Sequence, residues 1–341
     1  MKKKAVDVLI LGAGVAGLMP AWLLAKEGVR TTLAEAGEAG QACSWAGAGI
    51  LFPLLPWEME NALSERIIEG ARAWEELSAS LFSQTDIDPQ YRKTGLLLLP
   101  PFDEDKAKDW LYRHGYAFTQ EVSLPGVGPK GWFLPEVAQI RNPRLLRALK
   151  KAAQNAGVDI HEHHLISRLE KTQEGFAAHG KAGSFLARKV VIAAGAWSAG
   201  LMAGLGDRLE VFPVQGEILL YHFSKPPVDA MVYADDLYLV PREDGHLLLG
   251  STMRQVGFDT AVGDEGWLLH HRAAAIVPAL LGKQPIRRWA GLRPGNLGGV
   301  PFAGEHPRIE NLFLHTGHFR YGITLSPVTA KEVVAAVLAK G

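Results

Sequence analysis

Three glycines near the N-terminus have the spacing of a turn that binds the pyrophosphate of a dinucleotide, G-x-G-x-x-G. The first glycine permits a tight turn, the second lets the backbone approach the phosphates, and the third lets helix and strand pack closely. A carboxylate about 20 residues further on would bind the ribose hydroxyls. The predicted dinucleotide site comprises Gly12, Gly14, Val15, Ala16, Gly17, Glu35 and Ala36.

A second candidate is Arg293, which stands between a leucine and a proline in the apolar, glycine-containing stretch "RWAGLRPG" (288–295). A guanidinium offers a planar fork that fits a carboxylate with two parallel hydrogen bonds, which a lysine cannot reproduce. The alternative is a buried ion pair that joins two domains. Composition and spacing leave both interpretations open.

The elements that would position these residues follow the order of a nucleotide-binding unit. A buried strand, "VDVLIL" (6–11), leads into the glycine pattern, a helix ends at Gly28, and a second strand, 29–36, contains Glu35. Pro20 lies inside the predicted helix, where it removes a hydrogen bond, and is expected near the first turn. The order of strand, turn, helix, strand and acid therefore predicts dinucleotide binding.

Two later segments favour FAD over NAD. The stretch "ARKVVIAAGAW" (187–197) predicts a buried strand that ends in small residues, where backbone can pass close to a cofactor. Residues 311–340 predict a strand, a glycine-bounded loop and a terminal helix. That helix would direct its positive N-terminal end at a reduced flavin, which carries negative charge.

Composition excludes several classes of function. The 341 residues contain 36 Lys and Arg against 36 Asp and Glu, so no basic field attracts nucleic acid, and no run approaches the length of a membrane span. A small molecule is the expected partner.

The single cysteine, Cys43, is expected to be buried; it cannot form an internal disulfide and suits the cytoplasm. In "HEHH" (161–164) only two histidines would share a strand face, so no metal site is predicted.

Six segments together resemble the FAD-dependent D-amino acid oxidase superfamily, most closely its glycine-oxidising members, which serve thiamine biosynthesis. The resemblance implies an α/β fold, α+β overall, in which a Rossmann-like FAD-binding domain is assembled from residues 1–81, 141–207 and 289–341. A substrate-binding domain with a mainly antiparallel sheet would comprise 82–140 and 208–288. The segments are "GQACSWAGAGILFPLLPWE" (40–58), "YRKTGLLLLP" (91–100), "VVIAAGAWS" (190–198), "YLVPREDGHLLLGSTM" (238–253), "WAGLRPG" (289–295) and "GHFRYGITLSP" (317–327).

The resemblance also implies roles for individual residues. Arg293 and the Tyr238 hydroxyl would hold the substrate carboxylate, Met253 would line the pocket, and Arg320 would lie near the flavin. The FAD contacts would include Ser44, Trp45, Ala46, Gly47, Gly49, Leu165, Ala194, Gly195, Trp197, Arg293, His318, Arg320, Tyr321, Gly322, Ile323 and Thr324.

This sequence departs from the pattern of the relatives at three positions. Tyr321 follows Arg320 where an asparagine is usual, Asp236 stands where some members have histidine, and Gln215 stands where arginine or lysine is frequent. The first two departures bear on the shape and polarity of the pocket, and therefore on substrate preference.

The implied reaction is hydride transfer from the α-carbon of a small amine to flavin N5, with oxygen as acceptor. Glycine or a small D-amino acid would give a 2-oxo acid, ammonia and hydrogen peroxide, and sarcosine would give methylamine in place of ammonia. FAD is expected to bind non-covalently, since neither a cysteine near Gly295 nor a histidine in the early loop is present. The alternatives are a D-amino acid or sarcosine dehydrogenase with another acceptor, a 2-hydroxy acid oxidase, and a non-catalytic flavin-binding scaffold. The oligomeric state stays open, a homo-oligomer included.

Overall fold

The computed structural model describes residues 5–59 and 61–340. Its helices are α1 (Val15–Lys26), α2 (Cys43–Ala46), α3 (Asn61–Thr85), α4 (Glu104–Arg113), α5 (Asn142–Asn155), α6 (Ser198–Ala203), α7 (Glu265–Ile276) and α8 (Gly322–Leu338). Its strands are β1 (Val6–Leu11), β2 (Thr31–Ala34), β3 (Ile50–Leu51), β4 (Arg92–Lys93), β5 (Leu96–Leu98), β6 (Thr119–Val122), β7 (Gly131–Leu134), β8 (Ala138–Gln139), β9 (Asp159–His161), β10 (Ile166–Thr172), β11 (Gly175–Gly180), β12 (Gly183–Ile192), β13 (Val211–His222), β14 (Met231–Ala234), β15 (Leu237–Pro241), β16 (His246–Gly250), β17 (Arg287–Asn296), β18 (Phe302–Glu305) and β19 (Leu312–Thr316).

The first sheet has a parallel core around β1, which lies between β12 and β2. Leu11 at the end of β1 pairs with Ile192 of β12 and with Ala34 of β2. The carboxyl ends of three parallel strands therefore meet at one edge, which is where ligands bind in folds of this kind. The predicted strand, turn, helix and strand of the nucleotide-binding unit are confirmed, and segments distant in sequence complete the sheet.

Helix α1 contains Pro20 at its sixth position, deeper than the first turn expected from the sequence. Proline has no N–H to donate to the carbonyl four residues earlier. That carbonyl, of Ala16, accepts instead from Nδ1 of the buried His315 at 2.5 Å. The histidine therefore satisfies the hydrogen bond that proline removes.

Helix α8 also contains a proline, and a side chain from another element again donates to the carbonyl that this proline leaves free. Pro327 lies within this helix and leaves the carbonyl of Ile323 without its usual donor. The indole Nε1 of Trp74, on α3, donates to that carbonyl at 2.8 Å. Because Trp74 is fully buried, this bond ties α3 to the first turn of α8.

The second sheet has the order β17-β13-β16-β15-β14-β5-β7-β6 and is antiparallel except between β14 and β5. Its longest pairing joins β13 to β17, from Val211 with Asn296 to Leu220 with Arg287. The domain boundary predicted at residue 289 therefore falls inside β17, whose whole length belongs to this sheet. A third, small sheet joins β3, β8 and β4.

Helix length and composition also bear on membrane insertion. Within the described ranges, no helix combines the length and the apolar composition that crossing a membrane requires.

Candidate active site

A cavity of about 560 Å³ extends from the glycine turn at the edge of the first sheet to one face of the second sheet. Most of the residues predicted for the site line this cavity, although they come from distant parts of the chain. They are Gly12, Gly14, Val15, Ala16, Glu35, Ala36, Ser44, Ala46, Gly47, Gly49, Leu165, Ala194, Gly195, Trp197, Tyr238, Arg293, His318, Arg320, Tyr321, Gly322, Ile323 and Thr324.

Three predicted residues, Gly17, Trp45 and Met253, lie outside the lining. A Cβ at Gly17 would lie 1.8 Å from the carbonyl oxygen of Gly12, so this glycine is required for packing, as expected for the third of the pattern. The ring of Trp45 lies 5.2 Å from that of Trp289. Met253 was expected to line the pocket. It is 54% exposed and lies outside the cavity lining.

The glycine turn is sterically constrained. Gly12 has a φ of +105°, and a Cβ there would lie 2.5 Å from the carbonyl oxygen of Ala193. The turn also orients Glu35, whose Oε2 accepts from the Ala13 N–H at 2.6 Å and whose Oε1 accepts from the Gly37 N–H at 3.0 Å. These bonds hold a carboxylate against the cavity, where it can accept from ribose hydroxyls.

Several features of the cavity fit a dinucleotide. Gly195 has a φ of +54° and no atom within 4 Å of a Cβ built on it, so backbone is bare at this wall. Asn142, which the sequence reasoning missed, lines the same cavity, and its buried Oδ1 has no partner among the described residues. A buried acceptor of this kind requires a donor, such as a cofactor hydroxyl.

The N-terminus of α8 forms the wall near the second sheet. Gly322, Ile323 and Thr324 all line the cavity, and the Thr324 hydroxyl donates to the carbonyl of Ile50 at 3.3 Å. The positive end of a 17-residue helix therefore faces the cavity. This end favours negative charge on a bound group, as expected for a reduced flavin.

Arg293 lies at the sheet end of the cavity and has only neutral partners. Its Nη1 donates to the carbonyls of Thr252 at 3.2 Å and Gln215 at 3.4 Å, and its Nη2 donates to the Ser251 hydroxyl. Among the residues that the structure describes, no carboxylate lies within 4.0 Å of it. The alternative of a buried ion pair is therefore not what the structure contains, and the cation is available to an anionic ligand.

Gly216 makes the position of Arg293 possible. A Cβ on this residue of β13 would lie 2.1 Å from Nη2 and 2.2 Å from Cζ of Arg293. The guanidinium therefore lies flat against the backbone at Gly216. The sequence patterns did not identify this residue, although a glycine inside a strand is itself a signal for close approach of another group.

The ring of Tyr238 likewise packs against the backbone of a glycine. Tyr238 of β15 pairs with Gly250 of β16, which in turn pairs with Ile218 of β13. A Cβ on Gly250 would lie 2.4 Å from the Tyr238 ring, so the ring lies on bare backbone. Because paired residues share a face of a sheet, Tyr238, Ile218 and, two residues along β13, Gly216 form one floor of the cavity.

The other face of β13 holds the loop that follows β16. Nε2 of Gln215 donates to the carbonyls of Asp259 at 2.9 Å and Ala261 at 3.1 Å. Glu217, 1% exposed, accepts from the Gly263 N–H at 3.2 Å and forms an ion pair with Arg288. Gln215 therefore serves the loop here and is absent from the cavity lining.

Arg320 lines the cavity and contacts Asp236 and Met253. Its Nη1 lies 3.5 Å from Oδ1 of Asp236, and its Nη2 donates to Sδ of Met253 at 3.2 Å. Asp236 thus partly neutralises Arg320, whereas Arg293 is not neutralised. Tyr321 also lines the cavity, and burial raises the pKa of its hydroxyl, which keeps it protonated.

Cys43 lines the cavity, and the residue retains some exposed surface although its thiol is buried. Burial raises the pKa of its thiol to about 11, against the lowering effect of Arg293. Since the thiolate is the nucleophile, this thiol is unreactive near neutral pH. No group of three histidine, cysteine, aspartate or glutamate side chains in the described ranges is placed to hold a metal ion.

Two buried histidines, His315 and His318, line the cavity beside α8 and share the hydroxyl of Thr329. Nδ1 of His315 donates to the carbonyl of Ala16, and its Nε2 lies 2.8 Å from the Thr329 hydroxyl, which donates to the carbonyl of Leu325 at 3.1 Å. Nε2 of His318 then donates to the same oxygen at 3.1 Å. Burial lowers the pKa of His315 to about 4, so its ring is neutral near neutral pH.

This neutral ring predicts a loss of stability in acid. Unfolded His315 regains an ordinary pKa near 6.5 and binds a proton that the folded protein excludes, so stability falls as pH falls from about 6.5 to about 4. We expect about 2 kcal/mol of unfolding free energy to be lost from this group between pH 7 and pH 5. Urea unfolding at both pH values should show a smaller pH dependence in His315→Gln. Equal pH dependence in that variant and in the surface control His161→Gln would contradict the prediction.

The fold and the cavity together define a dinucleotide-dependent oxidoreductase: a glycine turn and a carboxylate at one end, and a helix N-terminus facing a floor of antiparallel strands at the other. The model of the family DAO, FAD dependent oxidoreductase, matches residues 7–336. The chain belongs to this family.

Relatives cover nearly the whole chain. A glycine oxidase of Pseudomonas aeruginosa is 37% identical over 338 residues, covering 95% of this chain and 92% of that protein. The bifunctional protein ThiO/ThiG of Synechocystis is 32% identical over 351 residues, covering 97% of this chain and 51% of that protein. The crystal structure of glycine oxidase from Geobacillus kaustophilus superposes with a TM-score of 0.90 at 32% identity, covering 98% of this chain and 95% of that chain.

Proposed function

We propose that the protein is an FAD-dependent oxidase of glycine or a similar small amine, such as sarcosine or a small D-amino acid. The observation that carries the proposal is Arg293, a cation on the cavity floor whose described partners are all neutral. A guanidinium in this state is available to an anion, and the carboxylate of an amino acid fits its fork. The relationship to glycine oxidases supports this substrate class.

The residues of the site would divide the work of binding and orientation. Arg293 would pair with the substrate carboxylate and the Tyr238 hydroxyl would donate to it, which orients the α-carbon toward the cofactor. When bound, FAD would supply the redox chemistry, as the acceptor of a hydride from a carbon next to nitrogen and the donor of electrons to oxygen. Because the α-hydrogen would leave with its electron pair, the site needs no strong base to remove it as a proton. The substrate ammonium must lose its proton before the transfer, since only the neutral amine can release a hydride.

The two ends of the cavity would hold different parts of FAD. The glycine turn would bind the pyrophosphate and Glu35 the ribose, while the N-terminus of α8 would face the flavin. We propose that the cofactor is dissociable, because the thiol of Cys43, which lines the cavity, is held protonated by burial. The parallel sheet would thus serve FAD and the antiparallel sheet, β17 included, the substrate.

The products would be a 2-oxo acid, hydrogen peroxide and ammonia, with methylamine in place of ammonia where sarcosine is the substrate. A contribution to thiamine biosynthesis is part of the proposal, and it is supported by the bifunctional relative that joins a similar chain to a second unit. A reducing compartment such as the cytoplasm also belongs to the proposal, and it rests on the single cysteine.

Anaerobic reduction of the purified protein tests the proposed function. We expect glycine, sarcosine or D-alanine to bleach the oxidised flavin band, and air to restore the band with release of peroxide. Bleaching that air does not reverse would indicate a dehydrogenase with another acceptor. A flavin that responds to 2-hydroxy acids and to no amine, or to neither, would overturn the proposal.

A further inference from the structure

The segment from Ser44 to Ile50 forms one side of the cavity, and donors outside the segment hold five of its carbonyls. The carbonyl of Ser44 accepts from Asn142, that of Ala46 from Trp289, that of Ala48 from Arg242, that of Gly49 from the Ile140 N–H and that of Ile50 from Thr324. Among these donors, only Arg242 carries a charge.

Arg242 follows β15 and lies outside the cavity lining, with 7% of its surface exposed. Its Nη2 donates to the Ala48 carbonyl at 2.7 Å, its Nη1 donates to Oε1 of the buried Gln139, and its Nε has no partner in the described part of the chain. Burial lowers the pKa of Arg242 to about 9, so it remains charged near neutral pH.

The position of this cation is costly, because no carboxylate in the described ranges lies within 4.0 Å of it. Asp244 acts on it only at longer range and is itself bonded to Arg141 and His246. Apolar packing would fill the same space without that cost. The charge is therefore stabilised by the Ala48 carbonyl and the Gln139 side chain, and of these two residues only Ala48 lines the cavity.

The peptide between Ala48 and Gly49 transmits this contact to the cavity. In a trans peptide the carbonyl and the following N–H point in opposite directions, and a cation on the oxygen polarises the N–H at the far side. Gly49 is buried and lines the cavity, and no described residue accepts a hydrogen bond from its N–H. A buried backbone N–H without a partner requires an acceptor.

We propose that Arg242 is a positioning residue that aims and strengthens the Gly49 N–H as a donor to the bound cofactor, without touching cofactor or substrate itself. The inference rests on FAD binding, which the family establishes, and is independent of the identity of the substrate. The hairpin between β15 and β16 would therefore contribute to cofactor binding, although it lies outside the cavity lining.

Dilution of the holoenzyme, with the released FAD measured by its fluorescence, tests the inference. We expect Arg242→Met to bind FAD about 10- to 100-fold more weakly, the worth of one charged hydrogen bond, and to shift the flavin absorption band. Arg242→Lys should recover part of the affinity. The KM at saturating FAD should change less than twofold, because other elements hold Arg293.

The matched control is Arg92→Met, which removes a half-exposed cation on neighbouring β4 that contacts Asp88 and Glu243 and not the segment. Its FAD affinity should equal that of the unchanged protein. If Arg242→Met fails to fold, Arg242→Lys alone decides, since its affinity should be several-fold lower at an unchanged apoprotein melting temperature. Unchanged FAD affinity and spectrum in either Arg242 variant would overturn the inference. A failure of glycine to reduce the flavin would leave this measurement intact.

Discussion

Replacing Arg293 by lysine is expected to lower kcat/KM for glycine by the equivalent of about 2 to 5 kcal/mol of transition-state stabilisation. A lysine ammonium is a point charge and cannot form the two parallel bonds that a guanidinium makes with a carboxylate. Arg293 also donates to Ser251 and Thr252. Because lysine has fewer N–H donors than arginine, the substitution would also weaken the bonds that hold the start of the loop after β16. Steady-state kinetics with glycine, together with anaerobic flavin reduction, would measure the loss.

Arg287→Lys is the matched control for this experiment. Arg287 begins the same strand, β17, but its guanidinium lies over the ring of Trp45 at 5.2 Å, outside the cavity. The same change of residue type there should leave KM unaltered. The proposed contact with the substrate carboxylate is wrong if Arg293→Lys has the same KM for glycine as the unchanged protein.

Replacing Gly216 by alanine is expected to cost about 100-fold in kcat/KM, because a misplacement of about 1 Å in a binding group is worth that much. The new Cβ would lie 2.1 Å from Nη2 of Arg293, so the guanidinium must move. The backbone of Gly216 does not need a positive φ, and a flexible side chain can yield. We therefore expect the unfolding free energy to change by about 1 kcal/mol or less.

The contrast between activity and stability distinguishes this prediction from simple damage to the core. Gly128→Ala is the control, since a Cβ at Gly128 would meet no atom closer than 3.7 Å. Kinetics and thermal melting of both variants would be compared with the unchanged protein. If Gly216→Ala keeps its KM for glycine, the contact with Gly216 does not set the position of Arg293. This conclusion would hold whatever the melting temperature of the variant.

Together the two variants would separate charge from position. Arg293→Lys keeps a cation and changes its shape, whereas Gly216→Ala keeps the guanidinium and changes where it lies. If both raise KM and leave FAD affinity unchanged, the floor of the second sheet serves the substrate alone. That result would also separate this floor from the segment around Gly49, where we place a donor to the cofactor.

The nucleotide-binding half could be read from the sequence because its signals are local. A tight turn at Gly12 and the packing contact at Gly17 impose glycine at positions a few residues apart, and Glu35 follows at the end of the next strand. The class of fold and the preference for FAD follow from such patterns and from the resemblance they carry, and most of the site residues predicted in this way line the cavity.

The substrate end could be predicted only as single residues. The sequence identifies Arg293 and Tyr238, but it does not show that Gly216 and Gly250 hold them, because each contact joins strands distant in the chain. The sequence also left Arg293 with two interpretations, a buried ion pair or a ligand contact. Only its described partners in the fold, all of them neutral, decide between them.

The sequence alone thus determined the nucleotide-binding unit, its cofactor class and the residues with chemical potential, since short-range steric rules impose them. Tertiary structure alone decided which of these residues contact one another and which other residues hold them in place. It places Met253 outside the cavity, uses Gln215 for the loop, supplies His315 to the carbonyl that Pro20 leaves free, and sets Arg242 against Ala48. Such contacts depend on the register of paired strands and on packing between distant elements, which no local spacing encodes.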